Sequence, residues 1–283
     1  MIKILITGAN GFLGNNIYKS LFLNEEYEIY ACSRYSLDLI DIKRLDDHLN
    51  YIRPDFIINC AYIGGRRTKE DSVSDFNKNT LIVENLIKLK QYYGKLFLFS
   101  SGAVFDRRYS INNKKELNQL EKTYIPIDCY GRAKFFNDLE AVKCQQIINL
   151  RIFNCFGNGM PTSAIPTFIN NCLQNKPINI WSDFRFSTFY INDLIKVIEH
   201  FIQNPPDSYR EINICYNKKY YLSQLATKIK LLIGSKSDII IEEKSKKHYT
   251  GNGDRLKELG LNLSGLEQGL LDTIDYFKLN GKE

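Results

Sequence analysis

Lys3-Ile4-Leu5-Ile6-Thr7 runs without a break into Gly8-Ala9-Asn10-Gly11-Phe12-Leu13-Gly14. The first five residues form a short apolar run of strand length. The next seven place glycines at the spacing GxxGxxG, and residues 12–23 carry apolar side chains at helical spacing. A strand that turns on glycines straight into a helix opens a βαβ unit. Each glycine answers a physical demand: one makes the tight turn, one lets backbone N–H groups approach a pyrophosphate, one lets the helix pack close to the sheet. The helix N-terminus then presents free N–H groups and partial positive charge to an anion. We read Gly8, Asn10, Gly11, Phe12, Leu13 and Gly14 as the cradle of a nicotinamide dinucleotide. A turn with no ligand is the other reading of the glycines alone.

Working outward, strand and helix signals alternate. Residues 28–32 read as a second strand, and Asp41 as the N-cap of a helix to about residue 51. Pro54-Asp55 breaks the chain before residues 56–61 (FIINCA), a buried strand. A helix is expected over 79–92, stopped by Gly94. Residues 96–101 (LFLFSS) and 147–152 (IINLRI) are further strands, with a helix over 130–143 between them. Continuous apolar strands between helices predict a parallel sheet covered on both faces, an α/β fold of the doubly wound Rossmann class. The alternation weakens after about Cys155, where Pro161, Pro166 and Pro177 crowd together. A dinucleotide-binding domain over 1–155 is therefore expected. Residues 156–283 would form a smaller, mainly substrate-binding part, with some segments returning to the first domain.

The tip of the second strand chooses the cofactor. An acidic residue there would bind the ribose 2′-OH of NAD, and an Arg would accommodate the 2′-phosphate of NADP. The chain has Ser33 and Arg34, which favours NADP; a shift of a few residues in the strand boundary would leave NAD open. Among 18 tyrosines only Tyr130 has a Lys four residues on, Lys134. On a helix that spacing sets both on one face, and an ammonium near a phenol favours its ionisation. The pair alone is equally compatible with chance at a surface. Ser100-Ser101 changes the balance, because ligands of an open parallel sheet bind beyond the carboxyl ends of its strands. Ser101 would there hydrogen-bond a carbonyl oxygen, unless it is a simple turn cap.

Composition sets limits. The chain has 283 residues and is 44% hydrophobic, enough for a sizeable core. No apolar run is long enough for a bilayer, and MIKILIT lacks the pattern of a signal peptide. Seven scattered cysteines without a CxxC pair argue against disulfides and zinc and fit a cytoplasmic protein. Three unpaired histidines make a metal centre unexpected. The net charge of +6 suits a solvated surface or a diphosphate-bearing substrate. Isolated Lys-Lys pairs give no nucleic-acid face.

These residues together resemble the extended short-chain dehydrogenases/reductases, in their nucleotide-sugar epimerase/dehydratase/reductase group. TGANGFLG is similar to the family's TGxxGFxG, SSGAVF to SSxxVY and YGRAK to YxxxK. Asn79-Thr80-Leu81 with Asn85-Leu86 resembles NxxGTxNLL, although Ile82-Val83 replace Gly-Thr. Residues 150–157 (LRIFNCFG) resemble LRxFNVYGP, and Trp181-Ser182-Asp183 with residues 189–194 resembles WGD…FIYVDDL. The resemblance implies roles. Tyr130 would be the acid/base, Lys134 its partner and ribose ligand, and Ser101 the carbonyl-orienting hydroxyl. Asp38, Ala61 and Asn79 would border the cofactor, Asp38 at the adenine. Gly102, Asn154, Trp181 and Arg185 would meet a sugar nucleotide, Arg185 at the diphosphate. On the residues alone Asp38 is also a turn cap, Arg185 a surface charge and Trp181 plain core. A homodimer through the helices over 79–92 and 130–143 is also implied.

Departures from the family pattern narrow the chemistry. Its dehydratases carry Asp-Glu directly after the active-site hydroxyl, where this chain has Gly102-Ala103. The segment 61–65 (AYIGG) resembles GDP-fucose synthase-like proteins, which epimerise beside a 4-keto group and then reduce it. Their epimerising Cys and His correspond to Ala103 and Ser163, neither able to move a proton from carbon. The expectation is a 4-keto reductase for nucleotide-activated deoxy sugars, without epimerase activity, in surface-polysaccharide synthesis. A 4-epimerase holding NAD is the alternative enzyme, and a cofactor-sensing or RNA-binding relative the alternative of another class.

Overall fold

The structure, a computed structural model, describes residues 1–65, 69–116, 124–161, 163–206 and 210–280. The chain runs β1 (Ile2–Thr7), α1 (Phe12–Leu21), β2 (Tyr27–Cys32), α2 (Ile42–Ile52), β3 (Phe56–Asn59), α3 (Val73–Lys88), β4 (Lys95–Ser101), β5 (Ile111–Lys114), α4 (Cys129–Ala141) and β6 (Ile147–Ile152). It continues through β7 (Cys155–Phe156), α5 (Ala164–Leu173), β8 (Ile178–Asp183), β9 (Arg185–Phe186), β10 (Phe189–Tyr190), α6 (Ile191–Gln203) and β11 (Glu211–Ile214). Last come β12 (Tyr220–Tyr221), α7 (Leu222–Ile233), β13 (Ile239–Lys244), β14 (Tyr249–Gly251), α8 (Asp254–Glu258) and α9 (Gly265–Asn280).

Six strands form the central sheet in the order β11-β6-β4-β3-β1-β2, with β1 parallel to β2 and β3, and β3 parallel to β4. This is the expected doubly wound α/β class. The chain steps from β1 outward to β2, then returns past β1 to β3. The order therefore reverses at β1, and the crevice beyond the ends of β1 and β3 is the ligand position of such folds. β3 is buried throughout, β4 over its last six residues and β1 over its last four, as the apolar runs require, whereas the edge strand β2 is buried only at Tyr27 and Cys32. Leu5, Leu45, Leu49, Ile57, Leu86 and Leu96 belong to one core cluster, each removed from water. A buried Leu or Ile contributes roughly 1.5–3 kcal/mol.

Helix ends follow local chemistry. Asp41 caps α2 by accepting from the Arg44 N–H at 3.1 Å. The helix expected over 79–92 instead begins at Val73 and ends at Lys88, with a separate 3₁₀ turn at Lys90–Tyr92. Its start is a capping box: Ser72 Oγ accepts from the Asp75 N–H, and the Asp75 carboxylate accepts from the Ser72 N–H. Reciprocal satisfaction of two free N–H groups moves the start six residues upstream of the apolar pattern.

The chain divides into two compact units, 1–106 with 116–151 and 198–212, and 107–115 with 152–197 and 213–283. The first holds the glycine turn and α4. Within the second, β12-β9-β14-β5 form one sheet, and β13 with β8 and β10 with β7 form two-stranded pairs. Among the described residues no helix is long and apolar enough to cross a membrane, and no group of His, Cys, Asp or Glu is placed to hold a metal ion. The seven cysteines, all among the described residues, form no disulfide.

Candidate active site

Gly8 ends β1 with φ +64°, a left-handed conformation that favours glycine. A Cβ there would lie 2.7 Å from the Ala61 nitrogen, so the ends of β1 and β3 approach backbone to backbone. A Cβ at Gly14 would stand 2.4 Å from the Gly8 carbonyl oxygen, so α1 begins directly on the turn. Gly11 is the N-cap residue of α1, and no side chain caps that end. The first-turn N–H groups are thus left to face an anion, the arrangement a pyrophosphate requires.

Beside this turn lies a cavity of about 250 Å³ within the first unit. Thr7, Gly8, Asn10 and Gly11 line its floor, Cys60 to Ile63 one wall, and Ser33 to Tyr35 with Asp38 the rim. Leu37, Leu39 and Ile82 supply an apolar slot suited to an adenine. The Ser33 N–H donates to Ser36 Oγ at 2.9 Å, and the Ser36 hydroxyl donates back to the Ser33 carbonyl. That turn leaves Arg34 and Tyr35 exposed at the mouth. Asp38 Oδ1 accepts from the Ile40 N–H at 3.1 Å. Phe12, Leu13 and Gly14 form the first turn of α1 and do not line the cavity; nor does Asn79. Asn79 is buried and acts on the wall instead: its amide accepts from the Ile63 N–H at 2.9 Å and donates to the Ile63 carbonyl at 2.8 Å. It is a clamp on the loop after β3.

α4 carries Tyr130 and Lys134. Asp128 caps it by accepting from the Gly131 N–H at 2.8 Å. A Cβ at Gly131 would lie 2.9 Å from the Ala103 carbonyl oxygen, so the start of α4 rests on the turn after β4. Lys134 Nζ donates to the Phe99 carbonyl at 2.7 Å, two residues before Ser101. The same ammonium is 6.0 Å from the Tyr130 ring centroid and 4.3 Å from that of Tyr62. Burial pushes its pKa down to about 8, against the raising effects of Asp138, Cys60 and Asp71. Ser101 is buried at the end of β4, where its Oγ accepts from the Ala103 N–H at 3.2 Å; Gly102 and Ala103 are buried beside it. Tyr130, Lys134 and Ser101 are thus gathered around the turn after β4.

Sequence reasoning did not assign Thr7, Leu37, Leu39 or Ile82 of the cavity, nor, nearer the Tyr–Lys pair, Tyr62 and Cys60. The Tyr62 ring meets that of Tyr130 edge-on at 5.2 Å, and its hydroxyl donates to Asp71 Oδ2 at 3.1 Å. Burial, then the charges of Tyr130 and Asp71, push its phenol up. Burial likewise pushes the Cys60 thiol up. The available signal was position: both follow the carboxyl end of a strand beside the switch point.

Asn154, Trp181 and Arg185 belong to the second unit. Asn154 Nδ2 donates to Thr188 Oγ1 at 2.8 Å. Trp181 is 77% exposed on β8, so it is not a core residue. Arg185 is exposed, with its guanidinium carbon 5.5 Å from the Tyr221 ring centroid. Ser163 is buried, its hydroxyl 3.3 Å from the Met160 sulfur.

The glycine cradle, the slot beside it and the Tyr–Lys pair at the end of β4 define a nicotinamide-dependent enzyme of the short-chain dehydrogenase/reductase type. The model of the NAD dependent epimerase/dehydratase family matches residues 4–215, and the chain belongs to that family. It is 24% identical to GDP-L-colitose synthase of Yersinia pseudotuberculosis, with 99% of each chain covered. Its fold is similar to that of a GDP-mannoheptose C4 reductase from Campylobacter jejuni with NADP bound (TM-score 0.81, 18% identity, 98% of each chain). A UDP-glucose 4-epimerase of Thermus thermophilus in complex with NAD shares it too (TM-score 0.79, 16% identity, 98% of this chain and 99% of that one).

Proposed function

We propose that the protein reduces the 4-keto group of a nucleotide-activated deoxy sugar, GDP-linked by analogy with the colitose synthase and the heptose reductase, with NADPH as the preferred reductant. The observation that carries this reading is the gathering of Tyr130, Lys134 and Ser101 at one strand end beside the dinucleotide cavity. The group the cavity would hold fits it: the turn has the backbone approach a pyrophosphate needs, and Arg34 stands at the rim for a 2′-phosphate. When bound, the nicotinamide supplies hydride to the carbonyl carbon.

The chain's own residues do the rest. Ser101 Oγ hydrogen-bonds the carbonyl oxygen as negative charge grows on it. Tyr130 donates its phenolic proton to that oxygen. Lys134 favours the resulting phenolate by its charge and keeps a donor for the ribose. By the resemblance to GDP-fucose synthase-like proteins, Ala103 and Ser163 occupy the positions of the epimerising pair, and neither side chain can move a proton from carbon. The reaction is therefore assigned as reduction alone.

The test is to mix purified protein with NADPH and a GDP-4-keto-6-deoxy sugar and follow loss of the reduced nicotinamide. Stoichiometric oxidation with one alcohol product supports the assignment. Protein that carries tightly held NAD and interconverts 4-epimers without net redox overturns it in favour of the epimerase. Tight RNA binding without sugar-nucleotide binding overturns it in favour of a non-enzyme. A cytoplasmic homodimer belongs to the same proposal. Val73 on α3 and Phe136 on α4 are exposed, and Phe136 meets Phe76 edge-on at 6.0 Å. A monomeric mass by light scattering would remove the dimer.

A further inference from the structure

The first unit buries a set of charges behind α4 that the proposed reaction does not itself use. Arg151, on β6, is fully buried. Its Nη2 donates to Asp138 Oδ2 at 2.8 Å and lies 3.3 Å from Glu211 Oε2, while its guanidinium carbon is 5.5 Å from the Phe105 ring centroid. The same Asp138 oxygen accepts from Ser100 Oγ at 2.8 Å. Asp138 Oδ1 is also buried and has no hydrogen-bond partner among the described residues. Buried charges of this kind are costly unless other charges balance them.

Lys134 is a second cation on which the Asp138 charge acts. Asp138 follows it by one helical turn on the same face of α4, and the Asp138 charge acts on the Lys134 ammonium more strongly than any other neighbour's. Among the described residues, the other groups that face Lys134 are Cys60, Tyr62 and Asp71 around the loop after β3, the Phe99 carbonyl of β4, and Tyr130 on its own helix. Burial keeps the Cys60 thiol and the Tyr62 phenol neutral. The carboxylates are thus the negative charges that matter, and Asp138 leads them.

We infer that Asp138, held by Arg151 and Ser100 and backed by Glu211, is a positioning residue that keeps Lys134 an ammonium beside Tyr130. A carboxylate that touches no reacting atom sets the charge of the ammonium that works at the site. Loss of the Asp138 charge makes Lys134 release its proton at lower pH. Polar residues inside three buried strands and on one helix face thus serve the site from behind.

The inference rests on the role proposed for Lys134, but its test needs no substrate. Protein labelled with ¹³C-lysine is titrated by NMR, and the Lys134 signal is assigned by its loss in Lys134→Met. Asp138→Asn is expected to lower the Lys134 midpoint by about one pH unit or more, a tenfold change in proton affinity. Asp138→Glu is expected to restore it. An unchanged midpoint in folded Asp138→Asn overturns the inference. Should that variant fail to fold, an unchanged midpoint in Asp138→Ser overturns it. Midpoints that move as stated, in protein that reduces no 4-keto sugar, uphold the positioning and defeat the reductase reading instead.

Discussion

Lys134 illustrates how a single residue inherits its chemistry from where the fold puts it. With its pKa pushed down to about 8 by burial, the ammonium is present at neutral pH and lost as pH rises through about 8. Turnover is therefore expected to fall on the alkaline side with that midpoint, and a kcat–pH profile checks it. Lys134→Arg, whose guanidinium stays charged, should flatten that limb at a lower plateau. The stability sign is opposite. Between about 8 and the ordinary lysine value of about 10.4 the unfolded chain binds more protons at this site, so its contribution to stability rises with pH there. Tyr130→Phe should lower turnover by at least about 10²-fold, with NADPH affinity little changed by fluorescence titration. Substantial residual turnover would sink the proton-donor assignment. At this scale the sequence was legible where spacing carries meaning: Tyr130 and Lys134 announce themselves by four residues. Tyr62 carried no such sign. Its place over Lys134 depends on the path of a loop, and no periodicity encodes that path.

Elements show the same division. β1 and α1 were readable because an apolar run, three glycines and a helical pattern agree with one another. The start of α3 was not, because Ser72 and Asp75 act through reciprocal hydrogen bonds that an apolar pattern does not register. Arg151 and Asp138 were read as ordinary members of a strand and a helix, since a buried ion pair leaves no trace in spacing. Two predictions belong here. Ala is the better helix former by about 1 kcal/mol over Gly. Gly14→Ala should nevertheless destabilise the protein by about 1–3 kcal/mol in urea, because the new methyl meets the Gly8 carbonyl at 2.4 Å. A more stable variant would show that α1 does not sit on the turn as described. Asn79→Ala removes the clamp on the Ile63 backbone, and unsatisfied buried partners cost about 1–3 kcal/mol. Weaker NADPH binding should accompany that loss, although Asn79 does not line the cavity.

For the whole molecule, the relevant quantity is a net charge of +6 on a chain whose proposed substrate and cofactor both carry phosphates. Attraction of that kind is screened by salt, with a Debye length of about 10 Å at 0.1 M. kcat/KM for the sugar nucleotide is expected to fall as ionic strength rises while kcat holds. A salt-independent kcat/KM would deny the positive field a part in capture.

The dinucleotide cavity has a floor of main chain and a rim of side chains. Gly8 in the floor, and Gly14 packed against it, admit no methyl group, so the floor tolerates no drift. Arg34 and Tyr35 stand in solvent, Tyr35 95% exposed, and exposed substitutions usually change stability by less than about 0.5 kcal/mol. If Arg34 selects the cofactor as proposed, that choice is decoupled from foldability: a substitution at the rim would trade one dinucleotide for the other while the turn beside it stays as it is.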